Sequence, residues 1–150
     1  MYKKTPAHYA AKIAVDILFY LGIAAMLTIP ILAKMIRTGF GYNNSSLIPL
    51  MIILTLSGLC SIYILFNLKQ MFKSLLNGNP FTEKNVSHFR KMAVASFLIA
   101  LIYALKCIIL PTFSTVIIIA VFAIASLFCL TLKDLFKQAI AFKEENELTV

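Results

Sequence analysis

MAVASFLIALIYALKCIILPTFSTVIIIAVFAIASLFCLTL, residues 92–132, carries a single charged side chain, Lys106. As one helix the run would be about 60 Å long at about 1.5 Å per residue, twice the roughly 30 Å hydrocarbon core of a bilayer. It must therefore turn back on itself. Pro111-Thr112 is the breaker near its middle. Proline ends the helix before it, and Thr112 or Ser114 can cap the helix that returns. The stretch reads as a tight antiparallel hairpin of two spans, Met92–Leu110 and Phe113–Leu132.

Two further segments have the same character. Ile13–Ala33 is broken only by Asp16 and Pro30, and Leu47–Leu68 holds no charge at all. A span needs roughly 20 helical residues, and each segment supplies them. The positively charged start followed by an apolar run resembles a signal peptide, but the run is longer than the usual ~7–15 residues of such a segment. No small-residue cleavage site follows it, so we expect a retained first helix. Composition agrees: 61% of the 150 residues are hydrophobic and 13% charged, and mean hydropathy is +0.89. Soluble domains carry about 25% charged residues. A water-soluble fold of this length could not cover so much apolar surface.

The expected class is all-α: one polytopic membrane domain, a bundle of four transmembrane helices. The helices are placed at about 13–35, at 47–68 with an extension to 77, at 83–110, and at 113–132 with an extension to about 143. Lys3, Lys4, Lys12, Lys69, Lys73, Lys84, Arg90, Lys91, Lys133, Lys137 and Lys143 fall at one side of these spans. Lys34 and Arg37 fall at the other, with Lys106 if its ammonium snorkels outward. The excess of lysine and arginine marks the cytoplasmic side, so both termini are expected in the cytoplasm of a multi-pass protein. The net charge of +8 thus lies at helix ends, where cations meet headgroups. Direct nucleic-acid binding is not expected.

The connection between the second and third spans carries helix punctuation. Leu68, Met71, Phe72, Leu75 and Leu76 continue an apolar face beyond the second span. Asn77-Gly78 reads as a helix end, Thr82 as an N-cap with Glu83 favoured in the first turn, and Phe81 and Val86 as a hydrophobic staple. Residues 78–82 are expected to form a defined elbow. Three glutamates in the tail 144–150 oppose a helix dipole, which places the end of the last helix near Lys143. The chain also echoes itself. LKQMFK at 68–73 matches LKDLFK at 132–137, His8 and His88 precede the odd helices, and Pro30 and Pro111 are read as ending them. Two repeated helical hairpins would explain this, and so would chance combined with shared interface chemistry.

Few residues suggest chemistry. Asp16 is one turn beyond Lys12 and can pair with it at i, i+4, or else serve as an intramembrane cation site. Lys106 can snorkel to the outer headgroups, or hold an anion together with Lys34 or Arg37. Ser96, Ala100 and Ala104 form a small-residue face suited to close helix packing. Cys60, Cys107 and Cys129 lack metal-ligand spacing and read as apolar filler. The outer loop Thr38–Ser46 contains glycosylation-like patterns at Asn43 and Asn44, a short and frequent motif. No Ser-His-Asp set, phosphate-binding glycine loop or catalytic carboxylate pair is present in the sequence. Neither an enzyme nor a cofactor is expected.

Asn79-Pro80-Phe81-Thr82 followed by Asn85, together with the ending Lys143-Glu-Glu-Asn-Glu-Leu-Thr149, resembles a bacterial membrane family catalogued as a domain of unknown function, DUF2975. The likeness runs over essentially the whole chain, with Glu147 where many members carry Asp. It implies the bacterial cytoplasmic membrane and, since members are often encoded beside one, a small helix-turn-helix regulator as cytoplasmic partner. The leading expectation is a non-enzymatic membrane regulator. Asn79, Pro80, Phe81 and Thr82 would shape the elbow, and Glu144, Glu145, Asn146, Glu147 and Leu148 would dock the partner. The alternative is an oligomeric transporter or channel subunit using Asp16 or Lys106.

Overall fold

A computed structural model describes residues 6–40, 44–109 and 111–148. They form four helices in succession: α1 (Pro6–Phe40), α2 (Asn44–Leu76), α3 (Glu83–Ile109) and α4 (Phe113–Leu148). All four are long and apolar enough to cross a membrane, and no strand occurs among the described residues. The exposed side chains include most of the large apolar ones, such as Leu27, Ile108, Phe113 and Phe128. In water that surface would drive aggregation; against acyl chains it is satisfied.

The helices pack in series. Backbones approach between α1 and α2, between α2 and α3, and most extensively between α3 and α4, and among the described residues no other pair of helices comes together. A third of the α3 span is buried, against 6% of the α1 span, so α3 is the spine and α1 an outer member. Small residues permit the close α3–α4 approach: Ala93, Ser96 and Ala100 are all buried, and the Ser126 hydroxyl donates across to the Ala93 carbonyl at 2.9 Å. Met92, Ala93 and Cys129 form the core there, with Ile64, Leu68 and Met71 of α2 laid against it. At the α1–α2 seam, a Cβ on Gly58 would fall on the Met26 sulfur. Glycine there lets the Met26 side chain lie directly against the α2 backbone.

Two helix ends differ from expectation. Pro30 does not end α1, which continues to Phe40, and α2 likewise contains Pro49. Each proline removes one N–H from the ladder, but in lipid a broken end would strand several unpaired groups, so continuing the helix costs less. The last helix does not stop near Lys143; it reaches Leu148. The glutamates there are good helix formers, and an exposed end suffers only about 0.3–1 kcal/mol from an unfavourable dipole contact. Residues 41–43 of the α1–α2 loop, with Asn43, lie outside the described residues, as do Leu110 and residues 149–150 of the tail.

Candidate functional site

The elbow between α2 and α3 is built by one asparagine. Gly78 takes a positive φ of 88°, the left-handed turn that stops α2 and that a side chain would oppose. The Asn77 and Gly78 amides close the helix end on the Lys73 and Leu75 carbonyls, each at 3.1 Å. Thr82 then caps α3: its carbonyl and hydroxyl accept from the Asn85 amide at 2.9 and 3.4 Å. The buried Asn85 side chain turns back into the loop, its Nδ2 donating to the Pro80 carbonyl at 2.6 Å and to the Ser74 hydroxyl at 3.3 Å. Ser74 in turn donates to the Asn79 carbonyl at 2.9 Å. Both Nδ2 hydrogens are thereby used, and the Asn85 Oδ1 is a buried acceptor without a donor among the described residues.

Aromatic rings fasten this elbow to the last helix. The Phe81 and Phe89 rings both meet Phe136 of α4, with centroids 5.3 and 4.9 Å away. Beneath them lies an apolar cavity of about 210 Å³, walled by Leu68, Met71, Phe72, Pro80, Phe89 and Phe136 among others. Phe72 and Phe136 occupy equivalent positions of the two echoing segments, and they converge on this one cavity.

Among the residues expected to form the docking surface, Pro80 is buried, Thr82 is half-buried in its cap, and the Asn79 carbonyl is tied to Ser74. Phe81 is the one that reaches the surface with a large apolar ring, 46% exposed while still resting on Phe136. Glu144, Glu145 and Asn146 are exposed on α4. They begin about 12 Å beyond Phe136 at about 1.5 Å per residue. The backbones of Glu147 and Leu148 complete the helix, and their side chains lie outside the described residues. Elbow and tail therefore share one end of the molecule, joined through α4.

The intramembrane candidates are each engaged locally. Asp16 lies between two lysines, Lys12 at 3.6 Å and Lys69 of α2 at 3.1 Å. The Lys69 ammonium is the closer of the two cations and ties α1 to α2 through this carboxylate. The same ammonium lies 5.2 and 4.9 Å from the Phe19 and Tyr20 ring centres. The expected Lys12 pairing is present; the second, closer partner comes from another helix and could not be found by spacing. Lys106 donates to the Thr115 hydroxyl at 3.1 Å and lies 5.8 Å from the Tyr103 ring centre. Thr115 is itself buried and hydrogen-bonded to the Thr112 hydroxyl. Lys106 thus spans the turn from α3 to α4. Lys34 is exposed, and the Arg37 side chain lies outside the described residues.

A polar pair escaped the sequence reading. Asn67 of α2 is almost wholly buried, donates to the Tyr63 carbonyl at 2.7 Å, and meets His88 Nδ1 of α3 at 2.8 Å. With Nδ2 committed to a carbonyl, Oδ1 is the acceptor, so His88 holds its proton on Nδ1. Cys60 and Cys107 are half-buried and Cys129 buried, all as free thiols. Among the described residues no three His, Cys, Asp or Glu side chains gather where a metal could be held.

Four membrane-length helices in series, with an asparagine-built elbow clasped to a protruding last helix, define a small polytopic helical membrane protein. The sequence profile of a family described as protein of unknown function (DUF2975) matches residues 35–150. The chain belongs to that family. The match takes in α2, the elbow, α3, α4 and the tail, while nearly all of α1 precedes it, a shorter reach than the whole-chain likeness of the sequence reading. No curated protein and no solved structure matches the chain.

Proposed function

We propose that this protein is a non-enzymatic membrane regulator whose elbow and α4 extension dock a cytoplasmic helix-turn-helix protein in bacteria. The observation that carries the reading is the length of α4. Its 36 residues make about 54 Å of helix, against the roughly 30 Å needed to cross the hydrocarbon. The surplus projects beyond the membrane as a charged rod bearing Glu144 and Glu145, braced at its root by Phe81 and Phe89. A braced rod presents side chains at fixed spacing, which lowers the ordering cost of binding a partner. The excess of lysine and arginine at this end supports a cytoplasmic face. The partner class comes from the family resemblance.

The reading is tested by co-purification from native membranes, using the full chain and a chain in which Glu144, Glu145 and Glu147 are all changed to Gln. The full chain is expected to recover a DNA-binding protein that the variant loses at least tenfold. Equal recovery, or none from either, sinks the proposal.

A second reading, an oligomeric transporter or channel subunit, draws on the open series of helices, which leaves one face of α1 and one of α4 for neighbouring copies. Asp16 faces α2 through Lys69, so a conduction path would need several chains to close around it. Asp16→Asn abolishing solute or ion flux in proteoliposomes would favour this reading over the first.

A further inference from the structure

A groove of about 520 Å³ runs between α2 and α3, separate from the elbow cavity. Its floor is made by two small residues, Cys60 of α2 and Ala95 of α3. Leu59 and Tyr63 form one wall, Val94 and Leu98 the other. These four walls are exposed, so the groove opens to whatever surrounds the helices. At the elbow end it is rimmed by Ser87, Arg90 and Lys91.

We propose that this groove holds one anionic phospholipid of the leaflet on the elbow side, its phosphate at Arg90, Lys91 and Ser87 and an acyl chain along the apolar trough. Charge is the first argument. The described lysine pairs reach Asp16 and Asp134, whereas neither Arg90 nor Lys91 is paired with a carboxylate. Arg90 also borders the neighbouring cleft that holds Glu83 and Asp134; Asp134 is taken by Lys133 at 3.0 Å, and Glu83 comes within ion-pair distance of neither Arg90 nor Lys91. Two cations that make no ion pair among the described residues, beside a hydroxyl, form a donor set for a phosphate: arginine as a fork, lysine as a point charge.

Dimension is the second argument. From the rim at Lys91 to Leu98 the groove runs about 10 Å along the helix axis, within the ~15 Å depth of a single leaflet's hydrocarbon, so it takes the headgroup-side part of an acyl chain. The cations therefore stand at headgroup level when the wall residues lie among acyl chains. A soluble anion would use the rim and leave the trough unfilled. The polar end and the apolar length match one amphiphile, and the volume falls within the ~300–1,000 Å³ of ordinary ligand sites.

The test uses the full chain in nanodiscs of phosphatidylcholine with added phosphatidylglycerol, with bound lipid counted by native mass spectrometry after release. One phosphatidylglycerol is expected to be retained in preference to phosphatidylcholine. Removing a cation near a headgroup costs about fivefold in affinity, so Arg90→Gln with Lys91→Gln together should weaken retention about 25-fold. Lys84→Gln with Lys137→Gln removes equal charge from the same end and should change it less than twofold. Equal loss in both variants would mean diffuse surface attraction and overturn the site. A second measurement needs no variant: phosphatidylglycerol with a photoreactive acyl chain should attach mainly to residues 59–63 and 94–98. Adducts spread evenly over the exposed faces of α1 and α4 would equally overturn it.

Discussion

Asn85 and Asn67 show how much a single amide can organise in this chain. Asn85 closes the elbow on two acceptors, and Asn67 joins α2 to α3 through His88. Inside a membrane such interhelical bonds are worth less than the cost of an unpaired group suggests, because the separated helices find other partners; coupling averages about 0.6 kcal/mol and reaches about 1.7. A double-mutant cycle of Asn67→Ala and His88→Ala, read by denaturation in detergent, should give a coupling energy in that range. Strict additivity would mean that the two side chains do not interact in the folded protein. Asn85→Ala should be costlier, about 1–3 kcal/mol in the same assay, since it leaves the Pro80 carbonyl buried without a donor. An unchanged midpoint would remove Asn85 from its place at the centre of the elbow. Neither role was legible in advance. Spacing shows that Asn85 follows a cap, but which carbonyl its amide reaches depends on how the loop closes.

The elements divide by how local their causes are. Four spans, the Gly78 stop, the Thr82 cap and the Pro111 turn were all readable, because apolar length and capping act within a few residues. The ends of α1 and α4 were not, because the local costs of Pro30 and of the tail glutamates are outweighed by those of breaking the helix, which no local pattern reveals. The Phe81–Phe136 and Phe89–Phe136 contacts cross about fifty residues of chain and leave no local mark. They have a measurable consequence. Phe136→Ala should release the elbow from α4, raising amide hydrogen exchange across residues 78–85 by roughly tenfold if about 1.5 kcal/mol of ring contact is lost. Exchange in α1 should not change. Protection that stays constant across 78–85 would show that the elbow's own hydrogen bonds suffice.

At the scale of the whole molecule, four crossings would return the chain to the side from which it started, and the excess of lysine and arginine there is the ground for expecting that side to be cytoplasmic. Cysteines introduced near residues 4 and 146, in a background with Cys60, Cys107 and Cys129 replaced by Ala, should both resist an impermeant thiol reagent in intact cells and react in inverted vesicles. Opposite reactivity at the two ends would contradict an even number of crossings. The order of packing was the part least available from the sequence: apolar length counts the helices but does not say which of them touch. Since among the described residues α1 meets only α2, its removal disturbs a single seam. Drawn upward by its N-terminus with a cantilever, the protein should yield α1 first, as a separate force peak, while the remaining three helices stay seated together and keep their mechanical resistance.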